Sequence, residues 1–249
     1  MAQRRPSSAT MARQRSSRAA AGVTLLEMLI AVAIFGVITA AVFEQVDSMQ
    51  KRSASEAMKL DMSQQAREFL DQTVRDLHMA GYPKSSMYAS MPDNTDPRVA
   101  AGLVAVSPTS ILMEGDVNQE GQVYSVTIGY VASDSNDPNC PCVRRYAVPK
   151  TPGSPLAQPT TINYTETNQV YPPGTGAGQS GEDLFAFYDI NGNPIDVTGG
   201  VNISTTSGQA TIASIRTIKI NLSLVTTLRD PASGGYMRTS MSATSRLSQ

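Results

Sequence analysis

The sequence predicts an α+β fold, in which one long N-terminal helix, membrane-spanning in its first half, packs by its second half on an antiparallel β-sheet. Three observations carry this. From Thr24 no proline occurs until Pro83, and Gly36 is the only glycine before Gly81, so a run of mostly helix-forming residues continues without a breaker. From Val23 to Phe43 the chain is apolar on every side except at Glu27, and roughly 20 apolar residues suffice for a helix to cross the ~30 Å hydrocarbon core of a bilayer. Beyond Pro83 the pattern turns towards period two, among loops rich in Pro, Gly, Ser, Asn and Thr, which is the signature of short strands.

Residues 1–22 are rich in Ser, Ala and Arg and read as a leader outside the fold. They hold Arg4, Arg5, Arg13, Arg15 and Arg18 and no acid, against Lys51 and Arg52 beyond the span, which Glu44 and Asp47 offset. That asymmetry predicts a cytoplasmic N-terminus with the bulk of the chain outside. Without the leader the chain keeps fifteen basic against 21 acidic residues, a formal charge of about −6. Such a balance gives no basis for direct nucleic-acid binding through a basic surface.

Glu27 demands a reason, because an acid at the centre of a spanning helix costs roughly 2.5–3.5 kcal/mol on insertion scales. A cut between Gly22 and Val23 supplies one. Val23 becomes a new ammonium, with Glu27 one helical turn away on the same face and near the positive end of the helix dipole. The carboxylate can then pair with an ammonium of its own chain or of a neighbour, and so set register among like helices. A plain membrane anchor gains nothing from it.

Gly22-Val23-Thr24-Leu25-Leu26-Glu27, with a basic leader before it and an apolar run after it, resembles the class III signal of type IV prepilins and type II secretion pseudopilins. The resemblance implies that a prepilin peptidase cleaves after Gly22 and methylates Val23, that Glu27 serves fibre assembly, and that the compartment holding the bulk of the chain is the periplasm. Val23 stands where the family usually has Phe.

The helix is expected from about Val23 to about Met79, roughly 80 Å at 1.5 Å per residue. Its second half keeps a stripe at Ala66, Leu70, Val74 and Leu77, with Phe69 and Thr73 beside it, while Arg67, Glu68, Asp71 and Arg75 face away. Gly81 ends it and Tyr82-Pro83 turns the chain out. The closing stretch Arg75-Asp76-Leu77-His78-Met79-Ala80-Gly81-Tyr82 is similar to that of PilW-like minor pilins, as are Phe-Tyr-Asp-Ile-Asn-Gly-Asn-Pro at 187–194, the Ile-Arg-Thr-Ile-Lys-Ile strand and the Thr/Ser-rich end. A pilin-like fold follows from the resemblance: leader 1–22, assembly half 23–46, amphipathic half 47–82 and a β-rich head 83–249.

In the head, Leu103 to Val106, Ile111 to Met113, Gln122 to Ala132 and Val143 to Val148 are strand candidates, followed by a long loop from Pro149 to Asp183 that is a candidate contact surface. Leu184 to Asp189 and Pro194 to Val197 flank the hairpin signal Asn191-Gly192. Ile215 to Leu228 alternates Ile218, Ile220, Leu222 and Leu224 against Thr217, Lys219, Asn221 and Ser223, and Tyr236 to Leu247 alternates again. Cys140 and Cys142 are separated by Pro141 alone. A disulfide across one residue is awkward and two thiols are too few for a metal cage, so a small loop disulfide and two separate thiols both stay open. Asp189, Asn191, Asn193 and Asp196 admit a cation reading, but Gly192 falls two places early for an EF-hand loop, and a tight turn is preferred.

No constellation for a reaction is present, so an enzyme is not expected, nor any cofactor. His78, the single histidine, reads as a helix-terminal packing or capping residue. The resemblance implies a minor pilin that primes and caps a type IV pilus, supporting attachment, twitching or DNA uptake. Its implied partners are prepilin peptidase, other minor pilins and the major pilin, the inner-membrane assembly platform and, before assembly, membrane lipid. Two alternatives stand beside it: a minor pseudopilin of type II secretion, and a membrane-anchored periplasmic binding protein or hydrolase.

Overall fold

The computed structural model describes residues 23–135, 137–138, 140–159 and 165–247; the leader, Gly22 and residues 160–164 of the long loop lie outside the described residues. The chain divides into two units, Met1–Met49 and Gln50–Gln249. One helix, α1 (Leu25–Met79), belongs to both. It starts two residues later than its apolar pattern suggests because Thr24 caps it. The Thr24 carbonyl accepts from the Glu27 and Met28 N–H groups at 3.0 and 3.1 Å, and its hydroxyl accepts from Glu27 at 3.3 Å, which satisfies donors that the first turn leaves open.

In the second unit, Met62, Ala66, Phe69, Leu70, Thr73, Asp76 and Leu77 of α1 are buried, while Arg67, Glu68, Asp71 and Arg75 are exposed. The expected stripe is therefore the packed one, with Val74 at its margin. Gly81 leaves the helix at φ +82°, a left-handed value that glycine adopts without cost. There the chain meets the sheet: Ala80 bridges Gly115, Gly81 donates to the Glu114 carbonyl at 2.9 Å, and Asp116 donates to Tyr82 at 2.9 Å. A Cβ at Gly115 would sit 2.4 Å from the Met79 carbonyl oxygen, so only glycine admits the helix end at this distance.

Among the described residues ten strands form two antiparallel sheets, rather than the single sheet expected. The first has the order β5-β4-β3-β2-β1-β8, built from β1 (Gly102–Val106), β2 (Ser110–Gly115), β3 (Tyr124–Val131), β4 (Cys142–Pro149), β5 (Thr165–Thr167) and β8 (Val201–Asn202). The second has the order β10-β9-β6-β7, with β6 (Phe185–Tyr188), β7 (Pro194–Ile195), β9 (Thr217–Val225) and β10 (Arg238–Arg246). Alternation in β9 is as read: Ile218, Ile220, Leu222 and Leu224 are buried. Inner residues of both sheets join the α1 stripe in one hydrophobic core, the arrangement that lets a one-faced helix and one-faced sheets bury their apolar sides together.

Two elements depart from the expected pattern. The stretch from Pro149 to Asp183 is not one loop, since it holds a 3₁₀ turn (Pro155–Ala157), β5, and a bridge from Val170 to Leu224. A second helix, α2 (Thr206–Ser214), follows β8, with the Thr205 hydroxyl accepting from the Gly208 N–H at 3.0 Å. Its Thr, Ser and Gly content is poor for helix formation; the cap and burial of Ile212 hold it instead.

Candidate processing and assembly site

The N-terminal unit is the part of the chain with unmet physical demands. Thirteen large apolar side chains between Val23 and Phe43 are each at least 52% exposed. At ~1.5–3 kcal/mol per buried side chain they represent about 20–40 kcal/mol of unrealised burial, more than the whole stability of an ordinary domain, about 5–15 kcal/mol. The described helix is long and apolar enough to cross a membrane, with an 18-residue window of mean hydropathy 2.5 and none of that window buried. Lipid or other apolar helices are the environments that meet this demand. Within the stretch Thr39 turns its hydroxyl back onto the Phe35 carbonyl at 2.7 Å, as a polar side chain in apolar surroundings must.

Glu27 occupies the third position of α1, three residues after its cap. Thr24-x-x-Glu27 is the pattern of a capping box, a signal in the sequence that the charge-pair argument passed over. An acid here also sits against the positive end of the helix dipole. Val23, the residue that would follow the cut, lies outside the helix and is 69% exposed. Gly22 lies outside the described residues.

The other residues singled out by sequence are committed to local structure. Asp189 accepts through Oδ1 from the Asn191 and Asn193 N–H groups, both at 2.8 Å, and through Oδ2 from the Asn193 amide at 3.0 Å. Asp196 accepts from the Thr198 N–H and hydroxyl at 2.9 and 2.6 Å. Asn193 first, and Thr198 in the second case, hold these carboxyls below the usual range. Each acid thus organises its own turn, and among the described residues no group of three His, Cys, Asp or Glu could hold a metal. His78 is exposed in the last turn of α1. Cys140 and Cys142 form a disulfide, with Cα atoms 4.4 Å apart. Beside it Arg144 reaches Asp134 and Asp137 at 2.6 and 2.7 Å and Cys140 Sγ at 3.5 Å.

Sequence reasoning missed two ion pairs of the head, the first of which seats α1. The register places Arg145 in one row with Ile111 and Ile128, and its guanidinium makes a two-pronged contact with the buried Asp76 carboxylate. Gln72 donates to the same carboxylate at 2.8 Å. Arg75 turns instead to Gln72 at 3.0 Å, so the neighbours Arg75 and Asp76 do not pair with each other. Lys150 and Glu114 are wholly buried and 2.7 Å apart; the ammonium also donates to the Asn94 and Val99 carbonyls at 2.7 Å. Burial pushes the Glu114 carboxyl upward, against the pull of Lys150 and the Ala101 N–H. No local motif foretold either pair.

A family model for the prokaryotic N-terminal methylation motif matches residues 17–43. No curated protein and no solved structure matches the chain. The motif spans the end of the leader, Gly22, the cap Thr24, Glu27 and the apolar run, and it supports a pilin- or pseudopilin-type role for the chain.

Proposed function

We propose that this chain is a minor pilin of the PilW-like kind. It inserts in the inner membrane with its N-terminus cytoplasmic, is cut after Gly22 and methylated on Val23 by a prepilin peptidase, and enters a type IV pilus through Val23 to Val46. The head is then carried outward, at or near the tip, where it serves priming of assembly and surface attachment. The observation that carries this reading is the methylation motif at residues 17–43, whose helical part, from Leu25 onward, keeps its large apolar side chains exposed.

Glu27 is given two parts in this reading. As a capping-box acid it stabilises the first turn; as the only charge between Val23 and Phe43 it pairs with the Val23 ammonium of its own or a neighbouring subunit. The minor pseudopilin of type II secretion uses the same surface, and sheared fibres tell the two apart by which of them contain the chain.

Two measurements test the proposal. N-terminal mass spectrometry of protein recovered from cells is expected to find methylated Val23; an intact Met1, or a cut inside the apolar run, overturns it. Glu27→Ala is expected to insert in the membrane as before and to be lost from fibres, whereas undiminished incorporation removes the assembly role of the acid.

A further inference from the structure

The two sheets present four edges. Three are strands of two or three residues: β5, β8 and β7. The fourth, β10, has nine residues, and it pairs with β9 in unbroken register from Arg238↔Val225 to Arg246↔Thr217. Natural sheets blunt their edges with short strands, prolines, bulges or inward-pointing charges. Three edges here follow that rule, while β10 has no proline and no bulge.

Parity fixes which backbone groups β10 offers. Thr226 donates to the Met237 carbonyl at 3.0 Å and Leu247 to the Arg216 carbonyl at 2.9 Å, so the odd-numbered residues bond inward to β9. Arg238, Ser240, Ser242, Thr244 and Arg246 therefore turn N–H and C=O to the open edge. All five are exposed, and among the described residues no main-chain hydrogen bond reaches these outward groups.

Charge selects the occupant. The edge is cationic at both ends, carries no acid, and has small hydroxyl residues between. Arg238 is held over the Tyr171 ring at 3.8 Å from its centroid, a fixed charge on the outer face. A second copy of β10 paired over its full length would set Arg238 against Arg246 at both ends, and like charges directly opposite are destabilising. A strand with acids at its first and ninth positions would set a carboxylate against each arginine. We propose that β10 takes up an extended segment of a different polypeptide, acidic at both ends, as an added antiparallel strand. The edge is a property of the head and does not depend on the assembly reading of the N-terminus.

The experiment uses the full-length chain in detergent and a fluorescent nine-residue peptide of alternating Thr and Val with Glu at both ends, followed by anisotropy. Ser242→Pro removes an outward N–H and leaves the β9 ladder whole, a placement that edge strands tolerate. It is expected to weaken peptide binding at least tenfold with the thermal midpoint retained. A double charge reversal, Arg238→Glu with Arg246→Glu, is expected to exchange the preference to a Lys-ended peptide, which keeps the test open should the proline variant not fold. Absence of binding by the Glu-ended peptide, or binding indifferent to Ser242→Pro and to end charge, overturns the proposal. So does dimerisation of the chain in sedimentation that Ser242→Pro abolishes, which would give the edge to a second copy.

Discussion

The two halves of α1 share one unbroken helix and have opposite relations to their surroundings. From Val23 to Phe43 every large apolar side chain is open; from Met62 to Leu77 the apolar side is buried, and Arg67, Glu68, Asp71 and Arg75 keep the other side wet. The difference teaches that continuity of backbone is not continuity of environment. A helix apolar all round cannot complete its burial with the one-faced partner that satisfies an amphipathic helix. The second half is also fixed by polar contacts, Asp76 with Arg145 and the Gly81 N–H on the Glu114 carbonyl, whereas the first half offers a single acid.

That contrast can be broken first at the seat of the second half. Lys150→Met takes the ammonium from Glu114, whose carboxylate is wholly buried and whose Oε1 has no partner among the described residues. Removing one member of such a pair costs about 3–5 kcal/mol, and the head's thermal unfolding is expected to show it; an unchanged midpoint would mean that the pair does not stabilise the strand end on which Gly81 docks. Leu77→Ala, at a fully buried position, is expected to cost about 2–5 kcal/mol for transfer and cavity together, read by denaturant unfolding in detergent.

A smaller effect comes from acid. The Ser233 side chain, then the Ala232 N–H, hold the Asp230 carboxyl at about 2, and Ser55 of α1 adds to this. Its folded value lies below that of an unperturbed aspartate, about 3.9, so the stabilisation is present above that range and is lost as pH falls towards about 2. Asp230→Asn is expected to flatten part of the fall in thermal stability over this window. An identical pH profile for the variant would assign the fall to other acids, among them Asp96, which Arg98 also holds at about 2.

The smallest change sharpens the comparison. Phe35→Ala removes a ring that is 69% exposed, and the head's unfolding is expected to stay within about 0.5 kcal/mol of the parent, as for surface sites. A loss of several kcal/mol there would show that the first half is packed on the head in solution.

Much of this arrangement was legible because its signals are local and periodic. The absence of Pro from Thr24 to Tyr82 gave the helix, Ala66, Leu70 and Leu77 gave its buried side, and the alternation from Ile218 to Leu224 gave the inner face of β9. Asn191-Gly192 gave the turn between β6 and β7, with Gly192 at φ +83°. What stayed hidden depends on distant partners. Arg145 meets Asp76 across 69 positions and Lys150 meets Glu114 across 36, and neither residue type announces such a pairing. The division into two sheets was hidden for the same reason, since β1 pairs with β8, taken from the other side of β6 and β7. At the candidate assembly site the apolar run and Glu27 are plain in the sequence, and the spacing Thr24-x-x-Glu27 also spells a helix start.

The order of synthesis sets a condition on this core. Helix α1 leaves the ribosome well before β9, β10 and Leu247, which join its core; the Ser55 hydroxyl lies 3.7 Å from Met237 Sδ across 182 positions. At ~5–20 residues per second the Met62 to Leu77 stripe waits about 10–40 s before that core is complete. Contacts of such separation also fold slowly, because the loop must close before they contribute. A chain that stops before Thr217 therefore lacks Ile218, Ile220, Leu222, Leu224 and Leu247, the side chains with which the later sheet and the segment after it complete the core that the stripe shares.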